Sequence, residues 1–267
     1  MPPVGKQKHN WAKWGLIAAA IVLVLFALYV ITLAYPQIFI QPHEDSGIVR
    51  LHYDGYDRAL MADLAARVDW RIRNSGIYDS SAHYNAFYIE KPGKYRFYSF
   101  LARVPNPSQG FALSIFGNAF VNAQRVRELG ELHNGQPPYS IYEGDPAHIL
   151  THEVAHLVVS SLIGRSTWKS LPQWKQEGLP EYISNSARAR LIDSISLESR
   201  IDILQDDFYW DVGYGWDRRH YKSGLMIEYL LDVKDLLMEE LIADSIQHDP
   251  VYSEMIEWRR SQLESVE

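Results

Sequence analysis

The chain has no cysteine, which excludes a disulfide staple, a thiol nucleophile, a thiolate zinc site and an iron–sulfur cluster. Any bound metal must be held by His, Asp or Glu. Internal repeats and low-complexity tracts are missing as well, so neither a solenoid nor a disordered chain is expected. The 267 residues allow one domain of ordinary to large size, or two small ones. The formal net charge of −7 gives no global attraction for nucleic acid, and no nucleic-acid partner is expected.

Acids are missing from the first 43 residues: the first is Glu44. Residues 1–15 instead carry Lys6, Lys8 and Lys13. Behind this basic head, residues 16–35 read LIAAAIVLVLFALYVITLAY, without a charge. At 1.5 Å rise per residue that run spans the hydrocarbon core of a bilayer. Trp11 and Trp14 before it and Tyr35 and Phe39 after it fit interfacial aromatic belts, and Pro36 stops the helix. The run is longer than the apolar part of a signal peptide, and Thr32-Leu33-Ala34 is a poor cleavage site. An uncleaved anchor in the lipid bilayer is expected. Its lysines hold the N-terminus in the cytoplasm and leave the remainder extracytoplasmic.

Residues 36–47, with two prolines, read as a linker, and 48–267 as the folded domain. Ile48–Tyr53 and the aromatic-rich Tyr84–Glu90 are strand candidates. Tyr56–Asn74 has Leu60, Leu64, Val68 and Ile72 at helical spacing. Lys94–Arg103 suggests a short helix closed by a Pro105-Asn106-Pro107 turn. Phe111–Ile115 and Asn118–Val126 read as strands around Gly117. From Pro146 on the chain is mostly helical. A small mixed sheet followed by helices is an α+β order.

Asp145-Pro146 is a helix start, an N-cap acid followed by proline at the first helical position, and Gly164 is the stop. Apolar residues cover most of this helix's circumference, so it is expected to be buried. His152, Glu153 and His156 share the remaining face. Burying two imidazoles and a carboxylate costs roughly several kcal/mol unless they are satisfied, and a metal satisfies them. HEVAH, residues 152–156, fits the H-E-x-x-H pattern: His at i and i+4 hold one Zn²⁺, and the intervening Glu reaches its water. His148, one turn earlier, rotates away from the metal and is expected at the surface or beside the ligands. Catalytic zinc needs a third protein ligand and an open position. Downstream, LPQWKQEGLPEYIS (residues 171–184) supplies Glu177, with Glu181 one turn later on the same face.

HEVAH followed by L-P-x-W-x-x-E-G-L-x-E-Y resembles the gluzincin metallopeptidases, in particular the peptidase MA-like proteins related to thermolysin and the membrane-alanyl aminopeptidases. The motif region covers residues 145–185, and the likeness extends over most of the part beyond the apolar run. The resemblance implies a zincin-like fold, zinc on His152, His156 and Glu177, and Glu181 supporting a ligand histidine. It also implies a peptide or protein substrate, cleaved by a zinc-activated water with Glu153 as general base. Pro180 departs from the family, which usually has a small helix-forming residue there. The family's substrate strand is matched by Gly117–Asn122, so Asn118 and Ala119 are expected to bind substrate along a free edge. Asn85-Ala86-Phe87 is expected to be an inner strand. A donor should face the developing oxyanion. Tyr214, His220 and Tyr221 are the candidates, with Tyr221 preferred because it begins a helix resembling the one after the family's site. No aminopeptidase-type G-x-M-E-N motif is present. The rival expectation is a catalytically inactive, membrane-tethered zinc-containing binding domain, against which the intact Glu153 argues.

Overall fold

A computed structural model describes residues 7–104, 108–132, 145–191, 196–206, 218–243 and 245–264. Helix α1 (Gln7–Ala34) is unbroken, and its Lys13–Ala34 part is long and apolar enough to cross a membrane. Its apolar side chains face outward on all sides until the last turn, where Leu33 is buried. There the side-chain amide of Asn118 donates to the Leu33 carbonyl at 2.8 Å and the Ala34 carbonyl at 3.3 Å. These are carbonyls that a helix end otherwise leaves without partners.

The sheet has five strands: β1 (His43–Ser46), β2 (Val49–Asp54), β3 (Tyr84–Ile89), β4 (Gly110–Leu113) and β5 (Asn118–Asn122). Their spatial order is β1-β2-β3-β5-β4, with the central three parallel and both edge strands antiparallel. Two sequence expectations are corrected here. Residues 36–47 are not a linker: Pro36–Ile38 form a 3₁₀ turn, and β1 pairs with β2 from His43 opposite His52 to Ser46 opposite Val49. A half-exposed edge strand reading HEDS has no apolar alternation to reveal it. The folded part therefore begins at Pro36, directly after α1.

The second correction concerns Asn118 and Ala119. Strand β5 has no free edge, because β3 pairs with it on one side and β4 on the other. Asn118 is wholly buried and committed to the end of α1, so neither residue can add a substrate strand. Asn85-Ala86-Phe87 is an inner strand, as expected. On this side of the sheet the edge strand is β4, whose outer edge pairs with no strand among the described residues. Strand β5 also ends earlier than expected, since the Asn122 side chain accepts from the Arg125 backbone amide and opens α4 (Ala123–Leu132).

Helix α2 (Arg58–Asn74) starts at an Asp57 cap and α3 (Pro92–Ala102) at a proline in its first turn. One face of the sheet, through Val49, Leu51, Ala86, Tyr88, Ala119 and Val121, packs on α2 and on α5 (Pro146–Ile163). The opposite face is a stack of rings. Phe120 lies 4.9 Å from Phe87, 4.8 Å from Phe111 and 5.1 Å from Tyr98 of α3, and the end of α1 closes the cluster with Leu33. The rest is helical: α6 (Arg165–Ser170), α7 (Gln173–Leu191), α8 (Leu197–Gln205), α9 (Arg218–Glu228), α10 (Met238–Leu241) and α11 (His248–Glu264). The architecture is a mixed α/β body behind one apolar N-terminal helix.

Candidate metal centre

Helix α5 is held at its start through Asp145. Asp145 accepts from the Ala147 amide at 3.0 Å, and its other oxygen takes the buried Arg71 guanidinium of α2 at 2.7 Å. Between β4, α2 and α7 the helix is buried from Ala147 to Ser160 except at His152 and His156. Helix α7 crosses it and runs on through Pro180 without a break, so Glu177 and Glu181 stay on one face.

The Nε2 atoms of His152 and His156 each lie 3.6 Å from Glu177 Oε2. One donor atom from each of the three residues falls within 4.8 Å of the other two. A tetrahedral ion bound at about 2.0–2.2 Å sets its donors roughly 3.3–3.6 Å apart. Two imidazoles and a carboxylate, with no thiolate, also match the donor set of catalytic zinc. The group fits a divalent metal.

The surroundings hold the ligands in place. His152 Nδ1 donates to Glu181 Oε2 at 3.1 Å, which leaves its Nε2 aimed at Glu177. Glu181 is itself buried, and Asn185 donates to its other oxygen at 2.5 Å. His148 is not at the surface: it is buried with Nε2 3.6 Å from Glu181 Oε1. Trp168 of α6 meets the His156 ring edge-on at 5.7 Å.

Burial opposes ionisation of Glu177 and Glu181, but the neighbouring histidines hold both carboxyls down to about 2. Burial likewise opposes a charged His152, yet the two carboxylates raise it to about 10. Burial and the His152 charge push His156 down to about 3. The ionised Glu177 thus faces the two ligand imidazoles, while the ionised Glu181 backs His152 from its Nδ1 side. Glu153 sits beside this group, and burial pushes its carboxyl up to about 8. A carboxyl raised from the usual carboxylate range toward neutral pH is, in its ionised form, a stronger proton acceptor than an ordinary carboxylate, which suits a general base.

Of the oxyanion candidates, Tyr214 lies outside the described residues. Tyr221 is corrected: it is buried and its hydroxyl donates to the Arg200 carbonyl at 3.2 Å, away from the ligands. His220, one position earlier on α9, points at the site instead. Its Nε2 is 3.4 Å from Glu177 Oε2 and its ring 6.0 Å from that of His152. Helix α9 can come this close because each helix presents a glycine to the other, Gly178 from α7 and Gly224 from α9. A Cβ on Gly178 would meet the Ser223 carbonyl at 2.6 Å, and one on Gly224 would meet Glu181 Cγ at 2.5 Å. A cavity of about 230 Å³ opens beside Glu177 and His220, lined also by Trp174, Lys222 and His248.

Gly110 was not expected to take part. A Cβ there would lie 2.6 Å from Glu153 Oε1, so the edge strand β4 reaches the carboxylate only because residue 110 has no side chain. A glycine at the mouth of a strand pattern is the available signal, since it marks a close backbone approach. No model of a known protein family matches the chain, and no curated protein matches it either.

Proposed function

We propose that the chain is a membrane-anchored zinc metallopeptidase with a zincin-like catalytic domain. The observation that carries this reading is the convergence of His152, His156 and Glu177 beside a buried Glu153, with Glu181 orienting His152. The resemblance of HEVAH and the E-G pair to gluzincins supports it.

A zinc ion held by the three ligands would supply Lewis acidity, polarising the scissile carbonyl and easing deprotonation of water. Glu153 takes a proton from the attacking water as the new C–O bond forms. It delivers that proton to the amide nitrogen as the C–N bond breaks. His220 donates toward the carbonyl oxygen as negative charge develops there. The outer edge of β4, which pairs with no strand among the described residues, receives the substrate backbone in extended form, next to Glu153. Gly110→Val should therefore displace Glu153 and depress turnover, while zinc content stays at the wild-type level. Unchanged turnover in a zinc-loaded Gly110→Val protein would mean that this approach is not needed.

The apolar helix serves as an uncleaved anchor with Lys6, Lys8 and Lys13 in the cytoplasm and the domain outside. The contact of Asn118 with Leu33 and Ala34 supports retention, because removing the helix would strip partners from a buried side chain. A reporter fused after Glu267 is expected to read as extracytoplasmic, and a cytoplasmic reading would invert the orientation. The function itself is tested by metal analysis of the purified chain and by turnover of a peptide library. One zinc per chain with cleavage is expected. Zinc and peptide binding without cleavage would make the domain a tethered binding module.

A further inference from the structure

The hydroxyl of Tyr29 in α1 donates to the Leu101 carbonyl of α3 at 3.0 Å. Tyr29 lies five residues before Ala34, or about 7–8 Å back along the helix axis. The C-terminal end of α3 therefore lies beside the apolar run and not beyond it. The β4–β5 turn, residues 114–117, gathers at the same place: Phe116 and Leu113 pack with Leu101 on the ring cluster that Leu33 closes.

Around this junction the body exposes large apolar side chains. Phe100 is 79% exposed, Ile115 63% and Phe97 50%. They lie on α3, which contacts α1 through the Tyr29–Leu101 bond, and on the turn beside it. The local charge is one-sided too. In a chain of net −7, no acid occurs between Glu90 and Glu128, while Arg96 and Arg103 are exposed on and just after α3.

We propose that the C-terminal half of α3 and the β4–β5 turn form a lipid-docking surface in the leaflet from which α1 emerges. Phe97, Phe100 and Ile115 enter the boundary between headgroups and acyl chains. Arg96 and Arg103 meet anionic headgroups. The inference rests on reading α1 as a membrane span, and it goes beyond that reading, since a span alone would leave the body free above the surface. Contact with α1 and the sign of the charge identify lipid as the occupant.

The absence of native cysteine allows single-cysteine labelling of the full chain. Phe100→Cys, Ile115→Cys, Val24→Cys and Leu60→Cys are each labelled with an environment-sensitive fluorophore and reconstituted into phosphatidylcholine–phosphatidylglycerol vesicles. All four positions are exposed, so folding is not at stake. Leu60 follows the C-terminal end of β2, the opposite end of the parallel strands from Asn118, and serves as the aqueous reference. The labels at 100 and 115 are expected to be quenched by brominated acyl chains and shielded from iodide, like the label at 24 and unlike that at 60. Omitting phosphatidylglycerol should lessen acyl-chain quenching at 100 and leave it unchanged at 24. Equal quenching at 100 with and without phosphatidylglycerol would overturn the headgroup contact. Iodide quenching at 100 and 115 with acyl-chain quenching at 24 would overturn the docking surface while the span stands. Shielding at 100 and 115 from both quenchers would overturn it in favour of a protein occupant. Iodide quenching at 24 would overturn the span and the docking surface together.

Discussion

Glu153→Gln is expected to cut peptide hydrolysis by about 10²–10⁴-fold, the range for a lost general base, while zinc content stays at the wild-type level. The amide keeps the shape of the carboxylate and fits the space that Gly110 leaves for it. It cannot accept a proton. The other effects of the change are small, because Glu153 is not one of the three converging donors. Burial already penalises its charged form, so the neutral amide should, if anything, raise stability against denaturant. Lost activity in a protein at least as stable as wild type separates chemistry from folding. Near-wild-type turnover in the zinc-loaded variant would remove Glu153 from the mechanism.

Removing the Glu177 carboxylate should have the largest effect on metal binding. Glu177→Ala leaves two imidazoles and takes away the oxygen that lies 3.6 Å from each of them. Two ligands do not hold zinc at a catalytic site. Glu181→Ala removes only the acceptor that orients His152, and losses of that kind are about 10–100-fold in affinity. Competition with a chromophoric chelator should therefore rank the proteins wild type, Glu181→Ala, Glu177→Ala in falling affinity. Glu181→Ala binding zinc more weakly than Glu177→Ala would exchange the two roles.

The parts of this centre that could be read in the sequence are those set by local geometry. A capped helix places His152 and His156 one turn apart whatever surrounds it, and Glu177 and Glu181 share a face for the same reason. The parts that could not be read depend on neighbours distant in the chain. Asn118–Asn122 has strand character in either an edge or an inner position, and its place was decided by β4 folding back beside it. Strand β1 was hidden because an edge strand needs only backbone partners, which HEDS supplies without an apolar pattern. The choice between Tyr221 and His220 turned on one residue, about 100° of helix rotation, fixed by the packing of α9 against α7 through Gly178 and Gly224.

The central claim is that this site hydrolyses peptides only when it holds one zinc ion. Zinc titrated into the chelator-stripped full-length chain, with peptide cleavage followed at each addition, tests it most directly. Cleavage should be absent at the start, rise in proportion to added zinc and level off at one equivalent, and Glu177→Ala should stay flat over the same range. Cleavage that persists in the stripped protein, or that responds to zinc equally in Glu177→Ala, would contradict the account.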